Sequence, residues 1–266
     1  MPAKWQHRFE RKPGRWVFVP TPEARAAGLE VKNLIESRWK APNYFFHLRK
    51  GGHIAALRRH RQSTCFVKAD IADFFGSVSR SRISRLLKEF FSHDEALRIA
   101  TSSTVRHPLN DKRKILPYGF IQSPLLASLA LHKSGIGKYL DALHRDKRFV
   151  VTVYMDDIIV SGSDQDELLD VLTEMKDKAQ RSGLVFGREK EQGPSESISA
   201  FNIELARQTP ISLLPPKLEE FSEAFRTSTS DLQRAGIQGY VYSVNPTQAD
   251  SLPSRSKEAG GGPKTP

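Results

Sequence analysis

Val150-Val151-Thr152-Val153-Tyr154-Met155-Asp156-Asp157-Ile158-Ile159-Val160-Ser161 is the stretch that decides the fold. An apolar β-branched run leads in, two adjacent carboxylates follow, and a second β-branched run leads out. The pattern predicts two short strands joined by a tight turn at Met155-Asp156. Two aspartates in the middle of a buried hairpin are costly, because an unpaired buried charge loses its hydration. A divalent cation offsets that cost, and hard cations such as Mg²⁺ take carboxylate oxygens together with phosphates. The plainer reading is an Asp-Asp surface turn without a role, but turn carboxylates rarely sit between two such apolar runs.

The charge distribution points to a polyanion. The chain has 266 residues, with 41 Lys and Arg against 30 Asp and Glu, a net +11. Residues 1–62 hold 14 basic and 4 acidic residues, so nearly all of the excess is N-terminal. Such asymmetry is the footprint of a nucleic-acid-binding surface. Lys4, Arg8, Arg11, Lys12, Arg15, Arg49, Lys50 and Arg61 are the candidate nucleic-acid contacts, interleaved in the first 23 residues with Trp5, Phe9, Trp16 and Phe18. Cations and aromatics together suit phosphate contact and base stacking. The same aromatics would equally pin an arm to the body. Cys65 is the single cysteine, so no internal disulfide forms, which fits a reducing compartment. No apolar run is long enough to span a bilayer, and the N-terminus lacks a secretory h-region. A cytoplasmic protein without membrane partners is expected.

Along the chain, residues 1–23 with Pro13, Pro20 and Pro22 read as an irregular arm. A helix is expected over 23–39 with Thr21 as its cap and Leu29, Val31, Leu34 and Ile35 inward. Tyr44 to Gly52 reads as a short strand running into a glycine turn, and a helix follows at 53–61. Phe66 to Asp70 is a strand that delivers Asp70 at its end. Helices follow at 79–91 and 94–101, then a polar loop at 106–114. A long helix is expected from Ser123, as N-cap, to His144. After the carboxylate hairpin come a helix from Asp164 to Arg181, a short strand at 184–186, a β pair at 199–206 and 211–214, and helices at 217–227 and 231–243. The organisation predicted is 1–43 basic arm and helix, 44–206 fingers and palm, 207–248 hairpin and short thumb, and 249–266 disordered tail. If the strands bearing Asp70 and Asp156 are neighbours, the two carboxylates share metal ions as two-metal phosphoryl transfer requires.

Four motifs in order then resemble the reverse transcriptases. Tyr154-Met155-Asp156-Asp157 resembles their catalytic signature. Phe66 to Val78, containing Lys68-Ala69-Asp70-Ile71-Ala72-Asp73-Phe74-Phe75, resembles their first carboxylate motif as it stands in bacterial, retron-like members. Leu116-Pro117-Tyr118-Gly119-Phe120-Ile121-Gln122-Ser123-Pro124 resembles the nucleotide-pocket motif. Gly183 to Lys190 resembles the following motif with its lysine, and Phe201-Asn202-Ile203 stands where the primer-grip hairpin begins. The resemblance spans roughly residues 44–245. It implies an α+β right-hand polymerase fold with fingers, a palm of mixed or antiparallel sheet with helices on one face, and a short helical thumb.

The resemblance also assigns roles. Asp70 and Asp156 would be ligands of two Mg²⁺ ions, with Mn²⁺ as a substitute and the Ile71 carbonyl helping, and Asp157 would be the supporting acid. Asp73 and Gly119 would line the nucleotide site, Phe75 would be the steric gate against a ribose 2′-hydroxyl, and Lys190 would approach the leaving pyrophosphate. Arg58 or Arg59 would contact the triphosphate, without a choice between them. Tyr118 departs from the family, which usually has Gln there. A tyrosine stacks but presents no amide, which puts ordinary templated synthesis in doubt and resembles the divergent reverse transcriptases of phage defence. Little chain remains for a thumb, so a structured noncoding RNA as template or scaffold, further copies of the protein, or both are expected as partners, with dNTPs and a DNA product. A palm-fold RNA-binding protein with vestigial catalysis and a nucleotidyl cyclase are the alternatives.

Overall fold

The structure is a computed structural model and describes residues 3–253. β1 (Trp5–Lys12) and β2 (Arg15–Pro20) form an antiparallel hairpin where an irregular arm is expected. The prolines do not break it because each stands outside the ladder interior. Pro13 is in the turn beside Gly14 at φ +76°, Pro20 ends β2, and Pro22 opens α1 (Pro22–Arg38). Thr21 caps that helix, its hydroxyl accepting from the Ala24 N–H at 3.1 Å, a contact worth about 1 kcal/mol. Val31 and Ile35 face the core as expected, but Leu29 is exposed. Instead of a strand starting at Tyr44, Phe45 makes a single parallel bridge to Val153 ahead of a 3₁₀ turn at Phe46–Leu48 and α2 (Gly52–Arg59).

β3 (Cys65–Asp70) is buried along its whole length. α3 (Arg80–Leu87) ends short of Phe91, and α4 (His93–Ser102) follows; Ser79 and Ser92 cap them. The expected polar loop is a second hairpin, β4 (Val105–His107) and β5 (Asn110–Ile115). Its residues are mostly exposed, so no apolar alternation marks it. The expected long helix is two, α5 (Ser123–His132) and α6 (Gly135–Arg145). Ser134 breaks it by accepting from the Gly137 N–H at 3.2 Å, and the Gly137 position lies so close to the Leu131 carbonyl that any side chain would clash. Ser123 is the first residue of α5, and Gln122 occupies the cap position.

β6 (Val150–Tyr154), β7 (Asp157–Gly162) and α7 (Gln165–Arg181) match expectation, including the Asp164 cap on α7. No strand forms at 184–186, where Phe186 makes only a bridge to Ile71; β8 (Gln192–Ser195) follows instead. The stretch 199–206 is a hairpin, β9 (Ser197–Ala200) and β10 (Ile203–Ala206), turned by Phe201 and Asn202 at φ near +60°, with β11 (Ser212–Leu213) alongside. α8 (Pro215–Thr227), α9 (Asp231–Val244) and α10 (Pro246–Asp250) close the described chain. Of the expected tail, Ala249 is buried and Leu252 packs against the core; residues 254–266 lie outside the described residues.

The central sheet has the order β6-β7-β3-β8 and is antiparallel throughout. Alternation sorts its two faces. Val67, Ala69, Ile71, Val151, Val153, Ile158 and Val160 pack against the helical core built from α1 and α3 to α7. Phe66 and Ile159 face the other way, against Leu57 of α2, the β9-β10-β11 sheet and α9. Helices therefore do not hold one face alone; the second face carries a small sheet as well. His60, fully buried on that side, bridges Ser161 at 2.6 Å and Thr152 at 2.7 Å. Burial keeps it neutral, with its pKa pushed down to about 3. A small third cluster joins the two outer hairpins through Phe18, Val105, Ile115 and Phe120.

Candidate active site

The carboxylates share the second face of the sheet because register puts them there. Asp70, the last residue of β3, is paired directly with Asp157, the first of β7. Asp156 lies in the β6–β7 turn, and its carbonyl accepts from the Ile71 N–H at 2.9 Å, fastening the turn to the end of β3. Met155 takes φ +61° in that turn, a strained state for a non-glycine residue that surrounding contacts must hold. His47 supplies one: its Nδ1 accepts from the Met155 N–H at 3.0 Å, while Nε2 lies 2.7 Å from the Ser128 hydroxyl, which donates onward to the Pro124 carbonyl. Burial lowers the His47 pKa to about 4, so the ring is neutral, as an acceptor nitrogen requires.

Oxygens of Asp70, Asp156 and Asp157 lie within 4.8 Å of one another. Burial first, then the neighbouring Asp70 charge, raises the pKa of Asp156. Burial raises Asp157 to about 6, with Lys68 opposing and the two other aspartates adding. Each carboxylate faces a different cation: Lys190 is 2.7 Å from Asp70, Lys68 is 3.5 Å from Asp157, and Arg15 is 3.9 Å from Asp156. The hydrogen bond to Asp70 raises the Lys190 pKa. A convergent hard-oxygen set of this kind, carrying mutual repulsion, fits divalent cations.

Beside the carboxylates stands an aromatic wall. The Phe75 and Tyr118 rings lie 4.6 Å apart, Phe75 buried and Tyr118 half-buried, and burial pushes the Tyr118 phenol up to about 12. Gly119 sits at φ +101°, and a side chain there would meet the Phe18 carbonyl at 2.2 Å. That close approach lets the Phe18 N–H donate to the Tyr118 carbonyl at 2.9 Å, docking β2 on the wall. The docking carries Arg15 to 5.1 Å above the Tyr118 ring. Asp73, at φ +43°, folds its carboxylate over Gly76 in the turn that leads to Phe75, and its carbonyl accepts from Ser77.

Other expected residues lie elsewhere. Arg58 donates to the Ser243 carbonyl of α9 at 2.6 Å, and Arg59 lies close enough to His60 and His144 for its charge to add to the burial that lowers both. Neither is among the cations acting on the carboxylates. Lys4 donates to the Thr101 carbonyl and, at 2.9 Å, to that of Thr104, so it closes the end of α4. Arg49 donates to the Asn43 carbonyl over the Phe46 ring. Arg8 stacks between Trp5 and Trp16, whereas Arg11, Lys12, Lys50 and Arg61 are exposed. Sequence reasoning missed Lys68 and His47 altogether and gave Arg15 only a general nucleic-acid role. The position of Lys68, two residues before Asp70 on the same strand face, is a signal that could have found it.

Solved structures similar in fold to the chain include the following two. Telomerase of Candida albicans, solved with a fragment of telomeric RNA, superposes with TM-score 0.53 at 10% identity over 90% of this chain and 53% of that one. A foamy viral protease–reverse transcriptase solved with double-stranded DNA gives TM-score 0.52 at 16% identity over 88% of this chain and 35% of that one. The chain thus spans about half of the first and a third of the second. No curated protein matches its sequence. The family model described as reverse transcriptase (RNA-dependent DNA polymerase) matches residues 15–211, from β2 through β11's approach, and the chain belongs to that family.

Proposed function

We propose that the chain is an RNA-directed DNA polymerase that adds deoxynucleotides to a 3′ end. The carrying observation is the convergence of Asp70, Asp156 and Asp157 within 4.8 Å beside the Phe75–Tyr118 wall. Asp70 and Asp156, with the Ile71 carbonyl, would hold the divalent cations, Mg²⁺ or Mn²⁺. Bound there, such ions supply the charge that activates the attacking hydroxyl and neutralises the triphosphate. Phe75, buried against Tyr118, would be the ring that excludes a ribose 2′-hydroxyl. Arg15, whose planar fork suits phosphate oxygens, takes the place expected of Arg58 or Arg59. The Lys190 side chain is 53% exposed, free to exchange Asp70 for the departing phosphate and to give it charge or a proton.

The finer reading is a cytoplasmic enzyme working with a dedicated structured noncoding RNA in antiphage defence. Tyr118 in place of an amide side chain, and the exposed cations of the N-terminal hairpin, support it. Purified protein with its co-purifying RNA should incorporate labelled dNTPs, and Asp156→Ala/Asp157→Ala should lose at least about 10³-fold, since charge stabilisation by bound metal is worth several kcal/mol. Equal incorporation by both proteins overturns the polymerase. Sequencing the bound RNA tests the partner: one dominant structured species is expected, and a random cellular mixture would sink it. Loss of phage resistance in cells carrying the double variant tests the defence role.

A further inference from the structure

Lys68 is buried in the middle of the carboxylate sheet and has no part in the reaction outlined above. It stands two residues before Asp70 on β3, on the same face. Its ammonium is 3.5 Å from Asp157 Oδ1 and donates to the Ser199 carbonyl of β9 at 3.1 Å. Gln192 of β8 holds that carbonyl in place: its Nε2 donates to it at 3.0 Å, and its Oε1 accepts from the Ser199 N–H at 2.7 Å. Beyond Ser199 the hairpin turns at Phe201, whose ring lies 5.2 Å from that of Tyr154, next to the carboxylate turn.

The three cations of the site differ in freedom. The side chains of Arg15 and Lys190 are 38% and 53% exposed and can move to a substrate; that of Lys68 is 10% exposed and fixed between two partners. An ammonium in such a place is costly to bury, and an apolar chain of the same length would fill the space, so its charge needs a reason. Asp157 stands directly opposite Asp70 in the sheet, close enough for its oxygen to join any ion held by the other two. Among the described residues, the Lys68 ion pair is the contact that draws it the other way, toward β9.

We propose that Lys68 is a positioning residue. It holds the Asp157 carboxylate against the β9–β10 hairpin and off the gap between Asp70 and Asp156, so that these two alone clamp the cations. The seat of the hairpin thereby becomes part of the catalytic geometry. This rests on the polymerase reading.

The test pairs Mn²⁺ binding to the full chain, read from the EPR signal of the free ion, with primer extension by Lys68→Met, Lys68→Arg and Gln192→Ala. With the ammonium gone, Lys68→Met should bind Mn²⁺ several-fold more tightly, because a like charge leaves the site and Asp157 is free to join. Its kcat should fall at least about tenfold, as small displacements of reacting groups do, with KM for dNTP within about twofold. Lys68→Arg should restore most of the rate, and Gln192→Ala should change both readings in the same direction by less. An unchanged kcat in folded Lys68→Met overturns the proposal, and so does a joint fall of Mn²⁺ affinity and kcat, which marks simple structural damage. Should circular dichroism show Lys68→Met unfolded, Gln192→Ala decides by the same two criteria. A wild type that incorporates nothing removes the polymerase reading, whereas equal Mn²⁺ affinity in wild type and Lys68→Met removes this one.

Discussion

Two antiparallel hairpins meet at the site, and they were built by opposite means. β6–β7 is buried on both faces, mostly apolar apart from the two aspartates and the Thr152 and Ser161 hydroxyls that His60 meets, and forms one side of the central sheet. β1–β2 is charged and largely exposed, stands outside that sheet, and touches the body through Phe18, Trp5 and Trp16. The first holds Asp156 and Asp157; the second brings Arg15 to face Asp156. A hairpin held by its own burial needs little help from distant sequence. A hairpin held by docking depends on the residue that permits the dock, and here that is Gly119.

Breaking the dock should give the largest effect. Gly119→Ala adds a carbon 2.2 Å from the Phe18 carbonyl at a φ that favours glycine, which costs about 1–3 kcal/mol for the backbone alone. Urea unfolding should show that loss, limited proteolysis should cut within residues 3–21, and nucleotide incorporation should fall with it. Full stability with an uncut N-terminus would show that the hairpin is held by something else.

The buried hairpin should show its charge in its pH dependence. Asp157 titrates near 6 in the fold against about 4 in the unfolded chain. The native state therefore keeps a proton that the unfolded chain has lost, and metal-free stability falls as pH rises from about 4 through 6. Across that window the fall amounts to about 3 kcal/mol at most, at roughly 1.4 kcal/mol per pH unit. Asp157→Asn should remove it. Comparing the two proteins in EDTA isolates the effect from His47 and His60, which work the opposite way: held neutral, they cost stability as pH drops below about 6.5. Mn²⁺ should raise the wild-type Tm more at pH 7.5 than at pH 5. Parallel Tm curves for the two proteins would remove the assignment.

Smaller effects sharpen the contrast. Arg15→Ala should raise KM for dNTP about tenfold, the loss of about 1.4 kcal/mol of phosphate contact, with Tm unchanged because a half-exposed pair at 3.9 Å contributes little. Arg58→Ala should leave KM alone, since its guanidinium holds Ser243. The reverse pattern would return the triphosphate contact to α2. Last, Arg11→Glu with Lys12→Glu should leave stability within about 0.5 kcal/mol while lowering the salt slope of RNA binding by about one or two. An unchanged slope would take the hairpin's outer cations out of RNA contact.

Legibility followed burial. β3 and β6–β7 were readable because strands enclosed on both faces are apolar along their length, and the helices because Thr21, Ser79 and Asp164 mark their starts. β1–β2 was not, since exposed strands of mixed charge carry no alternation and three prolines argue locally for irregular chain. β4–β5 failed for the same reason, having only Val105 and Ile115 to bury. The single strand expected at 199–206 failed at Phe201-Asn202, where φ near +60° falls on residues without glycine's freedom. His47 was invisible because its task, holding a strained Met155 more than a hundred residues away, exists only in the folded chain.

The amino-acid sequence by itself determined the strand that ends at Asp70 and the hairpin that turns at Asp156 and Asp157; that β3 lies beside β7, and so that the three carboxylates meet, is a tertiary fact. Period-two burial and a two-residue turn are local properties, and a one-residue slip would send every apolar side chain to the wrong face. Only the tertiary structure decided which cation answers each acid. Arg15, Lys68 and Lys190 are three among 41 basic residues; the strand period puts Lys68 on the face of Asp70, but nothing local pairs it with Asp157 or Arg15 with Asp156. Their places follow from the dock at Gly119, the contact between β3 and β9, and the turn that ends at Lys190, because long charged side chains take their positions from whatever the packed backbone brings within reach.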